Sequence, residues 1–228
     1  KVARRIVWFF VLSALIPIAA TALLSLGQVQ DLLTDQGHAR LAQTSEGYAA
    51  SLYDRLLALE QRVRDVSARA GSEAAIDEAE RQMLQRQFKA ITIVDSVDRV
   101  RPHFGKPGAV PVPDAAQAVR LAEGAVVLTH GAGGGATNSV FLMRALDPPH
   151  PRDAMLVAEI TPDYLWGDAT ALPAMTGLCV IGDRGFLLFC SDEAGAGAAG
   201  AIAARSRGAA AGRFAFEFAD KTYLADYR

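Results

Sequence analysis

The chain of 228 residues is 51% hydrophobic and 21% charged, with a formal net charge of -2. A slightly negative balance, without basic residues gathered beside aromatic ones, removes the electrostatic footing that nucleic-acid binding requires. Length and composition together suit one ordinary globular domain plus a segment of local apolar surplus.

That surplus lies at the start. Ile6 to Leu26 contains no charged residue, and a helix of that length spans about 31 Å, close to the roughly 30 Å hydrocarbon core of a bilayer. The run predicts a transmembrane helix, kinked where Pro17 removes a backbone bond to Ser13. A cleaved signal peptide competes for the same residues: Lys1, Arg4 and Arg5 form a basic start and Ala20-Thr21-Ala22 a small-x-small cleavage site. Apolar residues continue past that cut to Leu26, which favours an uncleaved anchor. Basic residues precede the run, while Asp31 and Asp35 are the first charges after it. The positive-inside rule then puts the start in the cytoplasm and everything after Leu26 outside, in a bacterium the periplasm, with a single span in the inner membrane. A first residue Lys1 and a last residue Arg228 inside a strand-like run read as a piece of a longer protein.

From Gln28 to about Ala70 there is no proline, and Gly37 and Gly47 are the only breakers, so a long membrane-proximal helix is expected. Leu41, Ser45, Tyr48, Leu52, Leu56, Leu59, Val63 and Val66 follow a heptad-like spacing. Such a seam is buried either against the helix's own domain or in a parallel coiled coil between two copies, and different turns can serve each purpose. A second helix is expected from Ser72, a capping residue followed by Glu73, to Lys89.

After Lys89 the pattern changes to short strands: Ile91 to Asp95, Ala125 to Thr129, Ser139 to Leu146, Met155 to Ile160, Gly177 to Ile181, Phe186 to Ser191, Arg213 to Phe218, and Tyr223 onward. Small helices are expected near Asp114 to Glu123 and over Thr161 to Ala169, where Thr161 caps and Pro162 takes the first helical position. The Ala- and Gly-rich stretch Ala194 to Gly212 reads as a weak helix or a loop. Two helices feeding a multi-stranded, mostly antiparallel sheet with short inserted helices make an α+β chain. Its expected divisions are 1–27 (stub and transmembrane helix), 28–71 (long helix) and 72–228 (sheet domain, incomplete at its end).

In "GLCVIGDRGFLLFCS" a hairpin turns around Gly182 to Gly185, and loop length decides where Cys179 and Cys190 point. A two-residue loop makes them diagonal neighbours, slightly beyond disulfide reach. A four-residue loop, Asp183 to Phe186, sets them opposite each other, and a three-residue loop sends them to opposite faces. All three registers fit the sequence. An oxidising compartment favours a bond, and two small buried apolar residues need none.

Catalytic patterns are missing from the sequence: CxxC, HExxH, GxSxG and a phosphate loop ending in Gly-Lys-Ser/Thr do not occur. His38, His103, His130 and His150 lack ligand spacing, so neither a metal nor a cofactor is expected, and the region is read as non-enzymatic. "HGAGGGATN", His130 to Asn138, resembles an anion loop only in its glycines, because a strand follows it instead of a helix. A small-ligand pocket draws on Asp95, Asp98, Arg99 and Arg101 at a strand end, on Arg144 amid Phe141, Leu142, Met143 and Leu146, and on Tyr164 and Trp166 in "TPDYLWGD". Aromatic walls with one or two charged groups suit a small polar ligand. Arg144 is the foremost of these, since an inward arginine requires an anionic partner.

The phrases "FVLSALIPIAATALLSL", "AEITPDYLWGDATALP" and "TGLCVIGDRGFLLFCS" put a membrane helix, then a strand with a short helix, then a hairpin in one order. That layout resembles the Cache-type, PAS-like extracytoplasmic sensor regions of bacterial receptors such as diguanylate cyclases, phosphodiesterases and histidine kinases. The resemblance implies a sheet that binds a small organic or amino acid and an output domain reached through a second membrane helix. The expected function is therefore a sensor region of a signal-transduction protein. Two copies pair along Leu41 to Val66, and ligand binding shifts the helix through Gly37 and Gly27. A membrane-anchored binding or assembly module without a pocket is the alternative, and a periplasmic hydrolase the weakest reading.

Overall fold

The computed structural model describes residues 2–70, 78–95, 100–106, 109–131, 139–151, 153–168, 172–182, 185, 187–206 and 211–227, without the side chains of 2–14, 23, 24, 26, 27, 30, 31, 193, 194, 198, 201 and 206. Two compact units divide the chain: Tyr48–Gly208, and Lys1–Gly47 together with Ala209–Arg228. Helix α1 (Val2–Arg69) is continuous and contributes to both.

The proline-free stretch after Gln28 explains most of this length, and Pro17 does not end the helix. Beside Pro17, the Thr21 hydroxyl donates to the carbonyls of Pro17 (2.9 Å) and Ile18 (3.0 Å). Among the described residues, no helix is long and apolar enough to cross a membrane. The expected transmembrane helix over Ile6 to Leu26 is corrected accordingly, and so is the inner-membrane placement built on it. Along the described part of that run, Pro17, Ala19, Ala20, Thr21, Ala22 and Ser25 dilute the apolar character of Leu15, Ile16 and Ile18.

In the unit Tyr48–Gly208, helix α2 (Glu78–Gln87) leads directly into strand β1 (Phe88–Asp95). The expected start of α2 at Ser72 and Glu73 lies outside the described residues. Its end falls before Lys89 because the β-branched run is joined by Phe88, which pairs with Ile160. Strand β2 (Val100–Phe104), helix α3 (Ala115–Ala122), strands β3 (Val127–Gly131), β4 (Ser139–Ala145) and β5 (Ala154–Ile160), and helix α4 (Pro162–Trp166) follow. Asp114 opens α3 with a reciprocal capping box: its side chain accepts from the Gln117 N–H, and the Gln117 side chain accepts from the Asp114 N–H.

The five strands form one antiparallel sheet in the order β2-β1-β5-β4-β3. Alternation along the central strands splits their side chains between two faces. Leu142, Leu156, Ala158 and Ile160 face a core that includes Leu59, Val63 and Val66 of α1, with Leu84, Phe88 and Trp166. Phe141, Met143, Met155 and Val157 face a second core built with Leu121 of α3 and Val127. The sheet is thus covered on both faces, as near-continuous apolar runs in β4 and β5 require.

The seam on α1 is accordingly spent in part on its own domain. Leu59 and Val63 are fully buried, and Leu52 and Leu56 pack against the same core. A second copy of the chain would have to use other residues of α1 than these.

The ribbon of β6 (Cys179–Ile181) and β7 (Leu187–Cys190) and helix α5 (Glu193–Ser206) complete this unit. Helix α5 settles the Ala- and Gly-rich stretch as a helix over most of its length. In the other unit, β8 (Gly212–Phe218) and β9 (Lys221–Tyr227) form a two-stranded hairpin. Ala219 and Asp220, both at positive φ, make the tight turn between them. Phe216 and Tyr223 stack at 5.4 Å on one face of that ribbon. On the other face Leu224 approaches Gly37 of α1, where a Cβ would lie 3.2 Å from Leu224 Cδ1.

Candidate functional site

Helix α4 is short because its ends are fixed by sequence. Pro162 occupies the first turn, and Gly167 ends the helix at φ 74°, a left-handed conformation that glycine takes without a Cβ penalty. A helix this short leaves most of its carbonyls without intrahelical donors. Arg55 of α1 supplies them: its Nη1 donates to the Leu165 carbonyl at 3.0 Å and to the Tyr164 carbonyl at 3.4 Å. Tyr48, two helical turns earlier on the same face, donates its hydroxyl to the Trp166 carbonyl at 2.5 Å. The cationic guanidinium also sits at the negative end of the helix dipole. Gly167 has a second reason to be glycine, since a Cβ there would lie 2.7 Å from Arg55 Nη1.

The Trp166 ring is buried and stacks on Phe189 of β7, with centroids 5.5 Å apart. The Tyr164 hydroxyl accepts from Gln87 Nε2 at 3.4 Å. Burial raises the Tyr48 pKa above its ordinary value, and Arg55 beside it partly offsets that rise. The neutral, donating phenol is the form that holds the Trp166 carbonyl. Helix α1, helix α4 and the β6–β7 ribbon are therefore joined by one chain of contacts, Tyr48 to Trp166 to Phe189.

The residues expected to hold a ligand fall into two places. Tyr164 and Trp166 belong to the contacts just described, where their rings take part in packing. The other set lies at one end of the sheet, where Arg144 is opposite Leu156, Leu156 opposite Ile93, and Ile93 opposite Arg101. Residues directly opposite one another share a face, so Arg144 and Arg101 lie on the face that packs against α1. Asp95, two residues beyond Ile93, is on the same face and sits 4.0 Å from Arg101 Nη2. Arg101 is well exposed, whereas Arg144 is half-buried. Among the described residues no hydrogen bond or ion pair reaches Arg144. Asp98, Arg99 and the glycine-rich connection after Gly131 lie outside the described residues.

No protein-family model matches this chain, and no curated protein is similar to it. Its function has to be argued from its own residues.

On the opposite face of the sheet, Glu159 of β5 is only 2% exposed. Its Oε1 accepts from Lys89 Nζ at 2.7 Å and from Ser139 Oγ at 2.9 Å. A buried carboxylate requires this kind of partnership to stay charged. Thr92, also buried, shares that face of β1. Sequence reading missed this cluster, as it missed the roles of Tyr48 and Arg55. Glu159 did carry a signal, a carboxylate between Ala158 and Ile160 in an otherwise apolar strand. Lys89 and Ser139 carried none, because each reaches Glu159 only through the strand pairing.

Cys179 and Cys190 stand directly opposite each other and are bonded. The register is that of the longer loop, with an irregularity between Val180 and Ile181. Of the loop, Asp183, Arg184 and Phe186 lie outside the described residues.

Proposed function

We propose that this chain is a sensory module of a signal-transduction protein, in which a small organic or amino acid bound by the sheet domain changes the domain's hold on α1. The single observation that carries this reading is the position of α1. It supplies Leu59, Val63 and Val66 to the domain core and donates through Tyr48 and Arg55 to α4, and the same helix continues into the other unit. A ligand that binds the two arrangements of sheet and helix with different affinities moves the helix by that difference alone. Arg144 supplies the chemistry for recognition, because a half-buried guanidinium that no hydrogen bond or ion pair reaches among the described residues favours a carboxylate in bidentate contact.

The alternative, an assembly module without a small-molecule pocket, is favoured by one observation: Tyr164 and Trp166 are engaged in packing. Thermal unfolding against a panel of small carboxylic and amino acids separates the two, since a ligand of the folded state raises its stability. The sensor reading expects a saturable rise in Tm for at least one compound, lost in Arg144→Met. A folded protein with no shift across the panel supports the assembly module instead.

A further inference from the structure

We propose that Cys179–Cys190 is an exchangeable disulfide, opened by a dithiol reductant, and that its state sets how firmly Trp166 is held against α1. This inference is independent of the ligand reading. The bond joins opposed residues of a ribbon with few ladder pairs, Cys179 with Cys190, Val180 with Phe189 and Ile181 with Leu187. A two-stranded ribbon of that length is marginal without a staple or a packed face. Val180, Leu188 and Phe189 of the ribbon pack against the α1 side of the core, and Phe189 is the ring on which Trp166 stacks. Opening the bond therefore weakens an element that backs Trp166, whose carbonyl Tyr48 holds.

The surroundings of the sulfurs favour exchange. Both cysteines are partly exposed, which leaves a route for an attacking thiolate. The first turn of α5 lies directly on the bond: a Cβ at Gly195 would sit 2.6 Å from Cys179 Sγ and 2.8 Å from Cys190 Sγ. A sulfur leaving as thiolate at the start of a helix is stabilised by the positive end of the dipole. Asp192, just before the helix, accepts from the Gly195 N–H at 2.5 Å. In the step itself, a thiolate of the dithiol attacks one sulfur and displaces the other as thiolate, giving a mixed disulfide. The reductant's second thiol then closes its own ring and releases the first cysteine. Two electrons and two protons pass to the protein, and the reductant leaves as a cyclic disulfide.

The test uses the whole chain, equilibrated across ratios of reduced to oxidised dithiothreitol without denaturant, quenched, alkylated and weighed. Trp166 emission is read in parallel in a Trp8→Phe background, with far-ultraviolet circular dichroism as the check on fold. The expected result is a complete two-electron titration with the fold retained and a change in Trp166 emission that follows it. The Cys179→Ser/Cys190→Ser double variant should reproduce the reduced emission. Gly195→Ala, whose Cβ would crowd both sulfurs of the bonded form, should need roughly tenfold less reductant for half-reduction. A bond that alkylates only after denaturation overturns the proposal, as does identical Trp166 emission in the two states. Should the double variant fail to fold, the wild-type titration decides alone.

Discussion

Single residues decide how α1 is held. Tyr48 donates to a carbonyl at the end of α4 that has no other donor among the described contacts, and losing such a bond costs about 1 kcal/mol. Tyr48→Phe is expected to lower stability by that amount at neutral pH, measured by urea unfolding. The pH dependence has a definite sign. Burial raises the phenol's pKa in the folded state above its unfolded value near 10, so the contribution is fully present below about pH 10. It is lost as pH rises further, because the unfolded chain ionises first and the folded one must give up its donor. The wild type should therefore lose stability above about pH 10 faster than Tyr48→Phe. Equal slopes would show that the phenol does not hold α4. Glu159 illustrates a different residue-scale rule, in which a carboxylate inside an apolar strand is tolerated because Lys89 and Ser139 reach it.

At the scale of elements, α1 is as much a core helix as a connector. Leu59 is fully buried against the sheet, and Leu59→Ala should cost about 3 kcal/mol through lost transfer energy and the cavity left behind. Denaturant unfolding measures that loss; a change in sedimentation with no change in stability would instead assign Leu59 to a contact between copies. Several elements were legible because their signals are local. Pro162 marked the start of α4, short apolar runs bounded by turn residues marked β4 and β5, and the spacing from Leu52 to Val66 marked a buried face. Other features depend on partners far along the chain. Strand β2 was missed because Val100 to Phe104 contains Pro102 and two basic side chains, a composition that only an edge strand accepts. The spacing of the seam stated that one face of α1 is covered, but not by what, since a sheet and a second helix ask for the same periodicity.

For the whole molecule, Tyr48–Gly208 forms one unit and the start of α1 with the β8–β9 hairpin another. The sequence divides by composition and spacing into 1–27, 28–71 and 72–228, which are stretches of chain and not units of contact. Among the described residues the expected membrane span is not found, and the Leu224 to Gly37 approach is a contact that no spacing in the sequence announces. The candidate site was legible only in part: Arg144 could be singled out as a charge in an apolar strand and Asp95 and Arg101 as charges at a strand end, while Tyr48, Arg55 and Glu159 acquire their meaning from residues 20 to 118 positions away. The central claim is that α1 and the sheet domain are held as one mechanical unit through α4. Hydrogen exchange by mass spectrometry on the whole chain, comparing wild type with Arg55→Ala, tests it most directly. The account predicts faster exchange both in α4 and along α1 from Tyr48 to Leu59. Faster exchange confined to α4, with α1 unchanged, would contradict it.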